Sequence, residues 1–143
     1  MKHLLFVTSD AAEAPTTTWG LLLVRVSLGL LMAFSHGWGK LTSYGERVSQ
    51  WADPIGLGSE VSLTLAVFAE FFCSLAVVFG FMTRAAVIPL IITMMVAAFI
   101  VHADDPFAKQ EFAMLYMFPF IMLLITGPGR MSLDRVIGDK LKH

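Results

Sequence analysis

VSLTLAVFAEFFCSLAVVFGFM, residues Val61–Met82, is apolar along almost its whole length. About 20 residues rising 1.5 Å each span the roughly 30 Å hydrocarbon core of a bilayer. One carboxylate, Glu70, interrupts the run near its middle. A charge at that depth is costly, so it must face protein or water and have a partner. Arg25, inside the first apolar run, is the candidate partner.

Three further runs flank this one. The spans are expected at about 19–37, 61–82, 85–101 and 111–126. None alternates with a period of two, and lipid admits only helices or closed barrels. The fold class is therefore an all-α membrane protein, a bundle of four transmembrane helices. Pro89 and Pro119 fall inside the third and fourth runs, where each removes a helical hydrogen bond and predicts a kink. Thr83-Arg84 joins the second and third runs tightly. The first and second are joined by a long segment, Trp38 to Glu60, with a short helix expected from Tyr44 to Trp51. After the fourth run, Gly127-Pro128-Gly129 stops the helix. Ser132 then caps an amphipathic, interfacial C-terminal helix over about 132–142.

Composition agrees. The 143 residues are 57% hydrophobic and 15% charged, against nearer half and a quarter in a soluble domain. One membrane domain covering 1–143 is expected. A net charge of −1 without a basic stripe argues against nucleic acid as a partner. The single cysteine, Cys73, excludes an internal disulfide or dithiol cycle, and a buried inert thiol is its ordinary reading. The N-terminal Leu4-Leu5-Phe6-Val7 is too short for the apolar region of a secretory signal. Residues 1–18 read as a polar arm, ending in the capping triplet Thr16-Thr17-Thr18.

Orientation follows from Lys and Arg. Lys2, Arg84, Arg130, Arg135, Lys140 and Lys142 share one side, and Lys40, Arg47 and Lys109 the other. That bias puts both termini in the cytoplasm.

Two polar constellations stand out. Arg25 and Glu70 form either a structural ion pair or a polar functional interior with a watery gap between them. Counted from the run edges, their depths differ by about 9 Å. Arg25, Gly29, Met32, His36 and Lys40 fall on one helical stripe, which must face the bundle. The second constellation is an outer pocket of His36, Lys40, His102 and Glu111, at the opposite end from the termini. Trp38 and Phe99 are its expected apolar walls. The bland alternative is that these residues only cap helices and hold loops. Their spacing matches no ligand motif, so no metal centre is assigned.

Several segments carry a resemblance. Arg25 to Leu41, with Gly29, His36-Gly37 and Lys40-Leu41, resembles the first-helix signature of the DoxX family. Glu70 with Phe79-Gly80-Phe81-Met82-Thr83-Arg84, His102, and Gly127-Pro-Gly-Arg-Met-Ser-Leu-Asp134 resemble its later segments in order. Cys73-Ser74 departs from the small glycines of many relatives. The resemblance implies a four-helix inner-membrane protein associated with quinone-linked sulfur oxidation, thiol and oxidative-stress systems, or detoxification of aromatics and quinones. It implies an accessory subunit rather than a stand-alone enzyme, a quinone as the cofactor to consider, and a larger membrane complex or homo-oligomer in the bilayer. A structural subunit without chemistry and a small transporter or proton path are the alternatives.

Overall fold

The computed structural model describes residues 14–141. The expected polar arm and the absence of a signal fall mostly on residues 1–13, and Lys142 in the tail follows 141, so these lie outside the described residues. Among the described residues the regular elements are all helices, with no strand. Four helices are long and apolar enough to cross a membrane: α1 (Pro15–Thr42), α3 (Ser59–Phe79), α4 (Thr83–Val101) and α5 (Phe107–Thr126). The short α2 (Tyr44–Val48) follows α1, and α6 (Leu133–Lys140) ends the described chain.

α1, α4 and α5 begin before their apolar runs, whereas α3 begins two residues early and stops at Phe79, three residues short of Met82. α1 begins at Pro15, whose missing N–H suits a first helical position, and Ala14 rather than the threonine triplet precedes it. At its other end α1 continues through Lys40 to Thr42, five residues beyond Gly37. The hydropathy run ended there only because a charged residue follows.

α4 and α5 run through Pro89 and Pro119 without a break. The irregularities lie elsewhere, in three π-helical turns at Met32–Gly37, Phe68–Cys73 and Ala97–Val101. Such turns are rare and often sit at functional sites. Here they hold His36, Glu70 and the approach to His102.

The core runs down the bundle axis through Met32, Val77, Leu90, Met94, Phe120 and Leu123. The chain order puts the α3–α4 turn and α6 at one end, called here the terminal end. The α1–α3 and α4–α5 connections share the other, the loop end.

Arg25 organises the terminal end. Its Nη1 donates to the carbonyl of Pro128 at 3.1 Å and its Nη2 to that of Met131 at 2.6 Å. Asp134 then accepts the N–H of Met82 at 2.6 Å and of Thr83 at 2.9 Å, capping α4. The Asp134 N–H returns to the carbonyl of Gly80 at 2.8 Å. Gly80 has φ +67°, and a Cβ there would meet the Arg25 guanidinium and Ser132. Ser132 caps α6 through the Arg135 N–H at 3.2 Å, as its sequence predicts. α6 is thus tied to the bundle through Asp134, while Leu133 and Val136 stay exposed.

Candidate functional site

The structure corrects the pairing of Arg25 with Glu70. Both are buried, but Glu70 takes its charge partner from Lys40, whose Nζ donates to Oε2. Arg25 belongs to the level of Gly80, ten residues from Glu70 along α3 and its turn, about 15 Å by helical rise. Depth counted from the apolar run misplaced Arg25, because α1 starts earlier and protrudes past the α3–α4 turn.

Gly37 makes the Lys40 contact reachable. A Cβ on it would lie 2.7 Å from the carbonyl carbon and oxygen of Glu70. Only glycine lets the two backbones approach so closely. About two turns toward the terminal end, Gly29 lies against Ser74 and Val78 in the same way. The Lys40 and Glu70 side chains are 16% and 6% exposed, so the pair is drawn well out of water.

Above the pair lies a cavity of about 300 Å³. His36, Lys40 and Glu70 form its floor side, with Ser62, Leu65 and Ala66 from α3. Ile92, Met94 and Ala97 come from α4, His102 from the residue that ends it, and Phe112 and Tyr116 from α5. Trp51, Pro54 and Ile55 of the α1–α3 connection form a roof. The Lys40 ammonium lies 5.6 Å from the Trp51 ring centroid. The His36 ring packs 5.8 Å from Phe112 and 5.5 Å from Tyr116, closing the gap between α1 and α5.

Asp53 pins the roof to α3. It accepts the N–H groups of Leu57 at 3.0 Å and Gly58 at 2.7 Å, and the Ser62 hydroxyl at 2.7 Å. The Ser62 and Gly58 hydrogen bonds hold its carboxyl below the usual carboxylate range. At the rim, His102 Nδ1 donates to Asp105 Oδ2 at 2.6 Å, and Lys109 reaches Asp105 Oδ1 at 3.2 Å. Hydrogen bonds from His102 and then Lys109 lower the Asp105 carboxyl as well. In the tautomer with the proton on Nδ1, Nε2 is left as an acceptor.

Of the four outer-pocket residues, His36, Lys40 and His102 line this cavity. Glu111 does not. It is exposed on α5, and the carboxylates near the imidazoles are Glu70 and Asp105. Trp38 and Phe99 are also exposed rather than walls. Both lie on outward faces of their helices, and Trp51, Phe112 and Tyr116 take their place. Tyr116 was the residue hardest to find, since a tyrosine in an apolar run reads as packing. Its only signal is one-turn spacing from Phe112. Among the described residues no group of three His, Cys, Asp or Glu side chains is arranged to hold a metal ion.

Residues 20–103 match the DoxX family. The chain belongs to that family. It is also 32% identical over 127 residues to inner membrane protein YqjF of Escherichia coli (strain K12), covering 85% of this chain and 94% of that protein. No solved structure matches it. The chain is a multi-pass inner-membrane protein of the DoxX family, embedded in the bilayer through four helices.

Proposed function

We propose that this DoxX-family chain binds a quinone headgroup in the loop-end cavity and serves a redox enzyme of the inner membrane as an accessory subunit. The observation that carries the reading is the lining. A buried ion pair and two imidazoles sit among apolar and aromatic walls in about 300 Å³, the scale of small-ligand sites. A quinone carbonyl accepts hydrogen bonds, and the Lys40 ammonium has donors beyond the one given to Glu70. The hydroxyl of a reduced ring finds an acceptor in His102 Nε2, with Asp105 behind it to steady the charged imidazole. Asp105, rather than Glu111, is the carboxylate beside His102. The lone Cys73 is buried, which favours the quinone-linked over the thiol-linked version of a redox role.

We place both termini in the cytoplasm. Arg84, Arg130, Arg135 and Lys140 lie toward the terminal end. Lys40, Arg47 and Lys109 lie toward the loop end, so the Lys and Arg bias favours a cytoplasmic terminal end.

The test is quinone-analogue binding to the purified full chain and to His36→Ala and His102→Ala proteins of unchanged helicity and melting temperature. Each substitution is expected to weaken binding about tenfold, or roughly 1.4 kcal/mol. Equal affinity in all three, or binding to none, leaves a structural subunit as the better reading.

A further inference from the structure

The cavity is not closed toward the bilayer. Leu65 on α3 and Ile92 on α4 both line it, yet they are 46% and 54% exposed on the outside of the bundle. Val96, one turn from Ile92, also lines it. The α4 core is made by Leu90, Met94 and Ala98. Ile92 and Val96 lie two residues from these, roughly half a turn around the helix at 100° per residue. A cavity touching that outer face has left the bundle through the seam between α3 and α4.

The backbone explains the seam. The first turns of α3, Ser59–Val67, pack on the end of α1 and on α2. The last turn of α4, Ala97–Val101, packs on α5. α4 meets α3 lower down, at the π turn that holds Glu70. Above that turn each helix is drawn to a different neighbour. Leu65 is six residues from the start of α3, and Ile92 nine from the end of α4, so the opening lies about 9–14 Å inside the loop end. That is hydrocarbon depth.

We infer that this seam is a lateral portal, and that the ligand is a membrane-dissolved amphiphile whose apolar tail stays among the lipid chains. This rests on the headgroup reading above and names its class: a quinone with a long apolar tail rather than a water-soluble ring. The bilayer is as apolar as Leu65 and Ile92, so the tail loses nothing by lying in the seam. The headgroup gains the polar partners that lipid lacks. The loop-end route is roofed by Trp51, Pro54 and Ile55, which Asp53 holds in place.

The experiment uses the full chain in nanodiscs, with Trp51 fluorescence read in a Trp19→Phe, Trp38→Phe background. The two ligands are decylubiquinone and the tailless ubiquinone-0, which share a headgroup. Leu65→Phe and Ile92→Phe narrow the seam and remain lipid-compatible. Each is expected to slow association and release of decylubiquinone together, by about tenfold, with Kd changed less than about twofold. Ile92→Ala, which widens the seam, is expected to speed both. Ubiquinone-0 has no tail to pass the seam, so its rates should change less than those of decylubiquinone in every variant. Unchanged decylubiquinone rates, equal slowing of both ligands, or a Kd shift at constant association rate overturns the portal and leaves the headgroup site standing. Binding of neither ligand to the wild-type chain overturns both.

Discussion

Lys40 on α1 donates to the carboxylate of Glu70 on α3 across a seam where Gly37 lays its backbone on the Glu70 peptide. Glycine proximity and charge neutralisation are one device. The close approach brings a residue near the end of α1 within reach of a residue deep in α3. Two of the π turns carry Gly37 and Glu70, so the irregular turns of α1 and α3 lie where the two helices touch.

The first prediction concerns that pair. Glu70→Gln leaves an ammonium nearly buried without its counter-charge, and breaking a buried pair costs roughly 3–5 kcal/mol. Lys40→Met with Glu70→Leu removes both charges, and it is expected to recover most of the loss. A double-mutant cycle in detergent, read by reversible unfolding, measures the coupling. Additive single-site effects would show that the pair contributes no coupling. The Arg25→Met, Glu70→Leu double change should show no such recovery, because those residues serve different ends of the bundle.

Gly37→Ala tests the approach itself. The added Cβ meets backbone 2.7 Å away, which cannot rotate aside. α1 and α3 must separate, and the loss should reach about 1–3 kcal/mol, as for other overpacked cores. Gly39→Ala has open space around its Cβ and serves as the control. It should be neutral or slightly stabilising, through helix propensity. Thermal unfolding of the two variants side by side decides the matter.

The four spans and the cap at Ser132 were legible in the sequence, because each rests on local chemistry: apolar length, a glycine stop, a hydroxyl before a helix. The stripe from Arg25 to Lys40 also put Lys40 on the bundle-facing side of α1. What could not be read was register between helices. Arg25 lies at the level of Gly80 because α1 overruns its hydropathy run at both ends, which shifts every depth counted from the run edges. The π turns left no compositional mark. Glu111 was assigned to the pocket by its place at the loop end, but helical phase turned it outward. Tyr116, one turn beyond Phe112, faces in.

At the terminal end, Arg25 is expected to be irreplaceable by lysine. Its two nitrogens hold two carbonyls three residues apart, Pro128 and Met131 being its acceptors, and an ammonium is a poor substitute for that planar fork. Arg25→Lys should raise amide exchange in α6 and at Met82 and Thr83 while leaving α5 protected. Asp134→Asn should do the same more weakly, with a loss of about 0.5–2 kcal/mol for the α4 cap. Unchanged exchange at Met82 in both variants would dissociate the C-terminal segment from the capping of α4.

Topology gives the next test. Reporter fusions after Trp51 and after His143 are expected on opposite sides of the membrane, with His143 cytoplasmic. Four spans require the opposite sides. The charge bias selects which is which. Both reporters on one side would contradict the four-span arrangement, and an inverted result would contradict only the orientation.

The roof loop should respond to acid in a defined direction. Asp53 is exposed, and the Ser62 hydroxyl and Gly58 N–H hold its carboxyl below the usual carboxylate range. A carboxyl lowered by folding contributes stability that is fully present above its unfolded value. That contribution is lost as pH falls through the lower, folded value. The Asp53 bonds to Leu57, Gly58 and Ser62 should therefore persist just below pH 4, where an ordinary aspartate is already about half protonated. They should release at still lower pH. Carboxyl-carbon NMR of Asp53 in micelles gives the midpoint, and exchange of the Leu57 and Gly58 amides, corrected for intrinsic rates, reports the release. Asp53→Asn removes the charge, so its loop should lack this acid-dependent step and exchange faster at neutral pH. A midpoint at or above the ordinary aspartate value would mean that the Ser62 and Gly58 hydrogen bonds do not hold the roof in solution.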